Sequence, residues 1–326
     1  MKTGMVLKIV ALACVAAFAV GVLAFGLATG FGFGDIVAGN AEGMTPYEVP
    51  YDYMEETEYL REIKIDWVSG PVTLTLYDDH VIRVRETARR ELKENEKLEL
   101  DLSGGELSVK WDSALLHFSV MADQSKSLEV WIPRELADSL SKVSVRSVSG
   151  DIRTENFAAD EAAFHTTSGG IEVNGIRAET LELSSTSGEI IGENLEATDK
   201  LRASNTSGGT TLTALTAGEL ELNTTSGEME AAGVAEQLSC RSVSGGVKLT
   251  MEKWAQRAEI STVSGSVTLS APETADGFTC AFDSVSGDLT SVFAVQESDD
   301  TYTYGSGAAK LKISTTSGDV SLIPMP

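Results

Sequence analysis

A Ser-Gly dipeptide recurs through the second half of this chain at a spacing that few folds accommodate. Nine copies share one strand-like setting, Ser149–Gly150, Ser168–Gly169, Ser187–Gly188, Ser207–Gly208, Ser226–Gly227, Ser244–Gly245, Ser264–Gly265, Ser286–Gly287 and Ser317–Gly318, and Ser306–Gly307 falls outside it. The serines of the nine lie 19, 19, 20, 19, 18, 20, 22 and 31 residues apart. A period of that length marks a stacked repeat: one unit cannot bury its apolar face alone, and a neighbour on each side can.

The residues around each dipeptide supply the strands. Six, four and two positions before the serine stand Leu220, Leu222 and Thr224 in one unit and Leu311, Ile313 and Thr315 in another. Three and five positions after it stand Val247 and Leu249, or Val320 and Leu322, and a further apolar residue often follows at plus eight (Phe157, Ile176, Leu195, Leu215, Val234). Period-two alternation on both sides of a glycine reads as strand, corner, strand and loose turn. The expected fold class is all-β, a right-handed parallel β-solenoid of about nine rungs of ~19–20 residues. At ~4.8 Å per rung it would extend on the order of 40 Å. The glycine is expected to permit a backbone bend, and the inward Ser/Thr hydroxyls to bond to one another and to backbone.

Charge placement fits stacking. Two positions after the serine, Asp151, Gly170, Glu189, Gly209, Glu228 and Gly246 alternate acid with glycine, which keeps like charges off adjacent rungs. Five positions before it, Glu182, Arg202 and Glu221 alternate in sign, as an ion ladder would.

The rest of the chain divides into three parts. Residues 60–142 read as an irregular β cap and early rungs, with an isolated copy of the pattern at Ser69–Gly70; residues 143–326 are the Ser-Gly solenoid. Residues 1–34 read as a cytoplasmic stub and transmembrane anchor, and 35–59 as an acidic linker. The 25 uncharged residues Ile9–Phe33 can cross ~30 Å of hydrocarbon as one helix. Lys2 and Lys8 precede them and no further Lys or Arg appears before Arg61, which places the bulk of the chain outside a bacterial cell membrane. A cleaved signal peptide is the competing reading. Gly26, Gly30 and Gly34 share one face of the expected helix and are candidates for helix packing and self-association. At the other end, Pro324 and Pro326 are expected to stop further strand pairing, while Ala271–Gly277 and Val295–Ala308 read as loops leaving the stack.

The net charge of −24 argues against nucleic acid or anionic lipid as partner. The glycine-aspartate nonapeptide of calcium-binding β-rolls is absent, so no metal site is expected. Cys240 and Cys280 should face inward on rungs two apart, roughly 9–10 Å along the stack, too far for a disulfide. His80, His117 and His165 are scattered, and Arg146 and Arg241 share an outward column with His165 and Asp283 but spread over several rungs. Nothing basic accompanies the serines, and no metal, phosphate or nucleophile motif is present. The expectation is a chain with no catalytic residues and no cofactor. Its most regular surface feature is the position before each serine: Val148, Thr167, Thr186, Thr206, Thr225, Val243, Val263, Val285 and Thr316, all β-branched. This is a candidate binding stripe, although β-propensity alone would also favour these residues.

Three pieces of sequence carry a family resemblance: Ser127-Leu-Glu-Val-Trp-Ile-Pro133, then Val143-Ser-Val-Arg-Ser-Val-Ser-Gly-Asp-Ile152, then the repeated Thr-Ser-Gly and Val-Ser-Gly. Over residues 60–326 the chain resembles the putative adhesin family of domains of unknown function, related to the toastrack-type β-helices of envelope stress systems. The resemblance implies a single-pass, surface-facing β-solenoid without catalytic residues. It would bind cell-wall or glycan material in adhesion, or serve a membrane signalling protein as an accessory in envelope stress sensing.

Overall fold

The computed structural model describes residues 60–88, 91–93, 96–111 and 126–325. The expected membrane span, its glycine face and the acidic linker lie outside these residues. Among the described residues no helix is long and apolar enough to cross a membrane.

The fold is all-β. In chain order the strands are β1 (Glu62–Asp66), β2 (Val72–Tyr77), β3 (Arg83–Ala88), β4 (Glu99–Ser103), β5 (Glu106–Lys110), β6 (Lys126–Pro133), β7 (Leu140–Ser147), β8 (Ile152–Glu155), β9 (Ala158–Thr166) and β10 (Ile171–Asn174). They continue as β11 (Arg177–Ser185), β12 (Ile190–Glu193), β13 (Glu196–Asn205), β14 (Thr210–Thr224), β15 (Met229–Ser242), β16 (Val247–Met251), β17 (Arg257–Thr262) and β18 (Val267–Ala271). The last six are β19 (Phe278–Ser284), β20 (Leu289–Ser291), β21 (Gln296–Ser298), β22 (Thr301–Tyr304), β23 (Ala309–Thr315) and β24 (Val320–Pro324).

Each Ser-Gly joins a strand of one face to a strand of a second. The strands before it pair in parallel, β7 to β9 to β11 to β13, and those after it do likewise, β8 to β10 to β12. Alternate residues point between the faces, where Ile63, Val145, Phe164, Leu183 and Leu222 meet Val72, Ile152, Val173, Ile190 and Leu212 in one continuous core. Burial of each such side chain stabilises by about 1.5–3 kcal/mol. Of the apolar residues at plus eight, Phe157, Ile176, Leu195 and Leu215 are buried, but Val234 is only half-buried. The register slips between Leu212 and Leu215, so Val234 lies beside Thr216 and Ala235 takes the inward place beside Ala217.

The order of rungs in space departs from their order in sequence at both ends. The Ser69 rung, β1–β2, pairs directly with β7–β8, and strands β5 and β6 stack on its far side. The stack thus holds ten Ser-Gly corners where about nine rungs are expected. At the other end β23–β24 inserts between β17–β18 and β19–β20. Pro324 therefore closes no edge: it lies opposite Ala271 in an inner strand. The segment Val295–Ala308 does not leave the stack either, because β22 folds back antiparallel on β19 and on β21. Antiparallel β4 and β3 do the same to β5 and β6 at the opposite end. Covering an edge in this way limits strand addition from another chain.

The inserted rung also separates the cysteines further than expected, placing Cys240 and Cys280 three rungs apart. In register Cys280 faces Leu311, whereas Cys240 lines up through Ile260 with Ile313. Both thiols are free and buried, and burial pushes each up to about 12.

Candidate functional site

The geometry of the corner fixes what the surface can present. The amide of each corner serine donates to the carbonyl of the residue before the serine in the preceding rung: Ser149 to Val68, Ser168 to Val148, Ser187 to Thr167, and so on through Ser317 to Val263 and Ser286 to Thr316. Several serine hydroxyls donate to the same carbonyls, as Ser207 does to Thr186 at 3.2 Å. Two residues before most of the repeat serines, a side-chain oxygen accepts from the glycine amide: Ser147 from Gly150 at 2.9 Å, Ser185 from Gly188 at 2.9 Å and Thr224 from Gly227 at 3.0 Å, whereas Thr262 donates to the Gly265 carbonyl at 2.8 Å. Asn205 serves the same purpose for Gly208. The hydroxyl columns are structural, inside and out.

The glycine is required by proximity rather than by a bend. A Cβ on Gly150 would lie 1.7 Å from the Gly70 carbonyl oxygen, and one on Gly208 would lie 2.1 Å from that of Gly188. The relation continues through Gly318 above Gly265 and Gly287 above Gly318. Among the repeated corner glycines only Gly70 has a positive φ, 93°. The alternating acids also act between rungs: Asp151 Oδ1 accepts from the Gly170 amide at 2.9 Å.

Against this frame the β-branched residues form one column, none of them buried. Val148 is 46% exposed, Val263 43% and Val285 75%. Its order in space is Val68, Val148, Thr167, Thr186, Thr206, Thr225, Val243, Val263, Thr316 and Val285. Val68 is a member that the spacing of the nine repeats did not include, and Thr316 precedes Val285.

At the Val68 end the column borders a groove of about 520 Å³. Five adjacent strands contribute one row to it. Glu99 of β4 faces Lys110 of β5, Lys110 faces Asp66 of β1, Asp66 faces Arg146 of β7, and Arg146 faces His165 of β9. Asp66 and Arg146 approach to 4.0 Å, and His165 Nε2 lies 3.9 Å from Glu182. Burial holds the His165 imidazole below its usual value, and the neighbouring Arg146 adds to that while Glu182 opposes it. Trp67 and Trp111 also line the groove, edge to face with centroids 4.8 Å apart. The Lys126 ammonium sits 4.2 Å from the Trp111 centroid and pairs at 2.6 Å with Glu86, both side chains being buried. The Glu86 carboxylate in turn accepts from the Leu98 amide.

The structure thus brings Arg146 and His165 together, with Asp66, Lys110 and Glu99 completing the row. Arg241 stands four rungs from His165, in register through Ser184, Ser204 and Asn223, and Asp283 three rungs further through Ser261 and Ser314. His80 meets Glu135 at 3.2 Å on the exposed surface, and His117 lies outside the described residues.

The chain is similar to several solved structures, at low identity and with TM-scores below 0.5 in the three that follow. A putative adhesin from Parabacteroides merdae is 12% identical over 88% of this chain and 98% of its own, with a TM-score of 0.49. A putative lipid binding protein from Parabacteroides distasonis is 16% identical over 88% and 98%, with a TM-score of 0.44. A putative cell adhesion protein from Clostridium sporogenes is 9% identical over 86% and 100%, with a TM-score of 0.25. No curated protein matches the chain. The toastrack family of domains of unknown function, DUF4097, matches residues 60–323, almost the whole of the folded repeat, and the chain belongs to that family.

Proposed function

We propose that this protein is a non-enzymatic binding module of the bacterial envelope, anchored by residues 9–33 as a single membrane span with the repeat domain on the extracytoplasmic side. It holds envelope or glycan material against its surface and does not process it. The observation that carries this reading is the Thr/Val column, none of whose members is buried and whose members are set at the interval of a hydrogen-bonded strand ladder. A surface held at fixed intervals by backbone spends little ordering entropy when it docks on a repetitive partner. Except at the Val285 end, where β20 pairs with β24 alone, the strands on either side of the column are held from both sides.

The test is retention of the full-length chain on isolated cell-wall sacculi, beside a variant with Thr167 and Thr206, two rungs apart, changed to Glu. The wild-type chain is expected to sediment with the wall material and the variant to remain in solution with an unchanged unfolding midpoint. Failure of the wild-type chain to associate with any envelope fraction, or equal retention of the variant, overturns the reading.

A further inference from the structure

The groove at the Val68 end carries a chemistry that the rest of the column lacks. Its row alternates acceptors and donors, with the carboxylates of Glu99 and Asp66 interleaved with the cations of Lys110 and Arg146, at steps of ~4.8 Å. A hydroxyl is donor and acceptor at once, so a ligand bearing several hydroxyls finds a partner of each kind on neighbouring strands. Beside the row the half-buried Trp111 lines the groove, its ring held by Trp67 and by the Lys126 ammonium. Indole offers an apolar face against which the C–H face of a sugar ring can be buried. The Trp67 indole N–H has no acceptor among the described residues, and a ligand or water oxygen reaching it would complete a bond that buried donors normally make. The volume of about 520 Å³ falls within the ~300–1,000 Å³ of small-molecule sites.

Charge selects among sugars. Two carboxylates offset two cations in the row, and the imidazole of His165 is disfavoured as a cation by burial. An anionic sugar or a phosphate would meet Asp66 and Glu99 in a chain that already carries −24, so the site suits a neutral ligand. We propose that this groove binds a neutral pyranose unit of a glycan, stacked on Trp111 with its hydroxyls held by Asp66, Arg146 and Lys110. The proposal rests on the reading of the chain as a binding module and gives that module a ligand class.

The experiment titrates the full-length chain, kept in a non-glycosidic detergent, with cellotetraose and chitotetraose as neutral probes and tetragalacturonate as the acidic one. Calorimetry and tryptophan fluorescence report binding. At least one neutral tetrasaccharide is expected to bind and perturb the fluorescence, with tetragalacturonate weaker. Arg146→Ala and Lys110→Ala, both exposed positions, should each weaken the neutral probe roughly tenfold, the worth of about one hydrogen bond to a charged group, without moving the unfolding midpoint. Lys312→Ala, at an exposed position of β23 outside both the column and the groove, should bind as wild type. No binding of either neutral probe, preference for tetragalacturonate, or undiminished binding by Arg146→Ala overturns the assignment. If sacculi are still retained under any of those outcomes, the groove assignment falls and the module reading stands; loss of both removes both.

Discussion

Gly245 and Gly246 are neighbours in sequence with opposite surroundings, and alanine at each separates the two explanations for glycine at the corner. A Cβ on Gly245 would lie 1.7 Å from the Gly227 carbonyl oxygen and 2.6 Å from its carbon, whereas one on Gly246 would meet nothing within 4 Å. Neither has a positive φ, so backbone conformation alone predicts that both substitutions are tolerated. Real Cβ contacts do not fall below about 3 Å, so alanine at 245 must push two rungs apart by more than ~1 Å. That displacement stretches the Ser244 amide to Thr225 carbonyl bond, now 2.9 Å, beyond hydrogen-bond range. Overpacking costs about 1–3 kcal/mol, and each bond lost adds about 1 kcal/mol, giving a destabilisation of about 2–5 kcal/mol for Gly245→Ala. Gly246→Ala should be neutral or stabilise by up to about 1 kcal/mol by narrowing the unfolded ensemble. Urea unfolding followed by far-UV circular dichroism measures the difference. Amide exchange at Ser226, Ser244 and Ser264 then locates it, since a stacked repeat opens locally. Coincident urea midpoints for the two variants would refute the close-approach argument and return the glycine to a conformational role.

Three further outcomes follow from the same frame. Ser242→Ala removes the acceptor of the buried Gly245 amide and should cost about 1–3 kcal/mol, while Ser207→Ala, which loses only an exposed bond, should cost at most about 0.5 kcal/mol; urea midpoints compare them. Lys126→Met leaves the Glu86 carboxylate buried without its cation, at about 3–5 kcal/mol; the Glu86→Gln/Lys126→Met double variant should regain most of it, and a double variant no more stable than Lys126→Met alone would count against a compensated pair. Burial pushes the Cys240 and Cys280 thiols up to about 12, so neither should react with a disulfide reagent at pH 8 until urea is added, and a Cys14→Ser chain should then show no thiol in the native state and two in the unfolded.

The repeat was legible in sequence because its determinants are local. Alternation before and after each Ser-Gly sets which residues face inward, and the structure buries Leu220, Leu222, Val247 and Leu249 as that alternation requires. Spatial order is not local. Nothing in the string from Ser264 to Ser317 says that the last rung enters between two earlier ones, because every rung carries the same corner and would satisfy the same ladder. The longer gaps of 22 and 31 residues were the available signal: extra chain length is what an excursion past the next place in the stack needs. The glycine's purpose was misread for a related reason, since a clash with the carbonyl of another rung is invisible until the rungs are stacked.

The same non-sequential order makes the groove. Lys110 and Trp111 stand some forty residues after Asp66 and Trp67, and Arg146 follows after a further excursion through β6. They become neighbours because β1 pairs with β5 on one side and with β7 on the other. Had the rungs stacked in sequence order, β7 would abut the cap strands and Asp66 would lie outside the row, leaving Lys110 next to Arg146. Like charges at adjacent ladder positions destabilise a sheet; with β1 between them, the row alternates in sign. The interleaving that closes this end of the stack therefore also sets the order of charge in the groove, so moving Asp66 out of register would disturb the ladder and the row together.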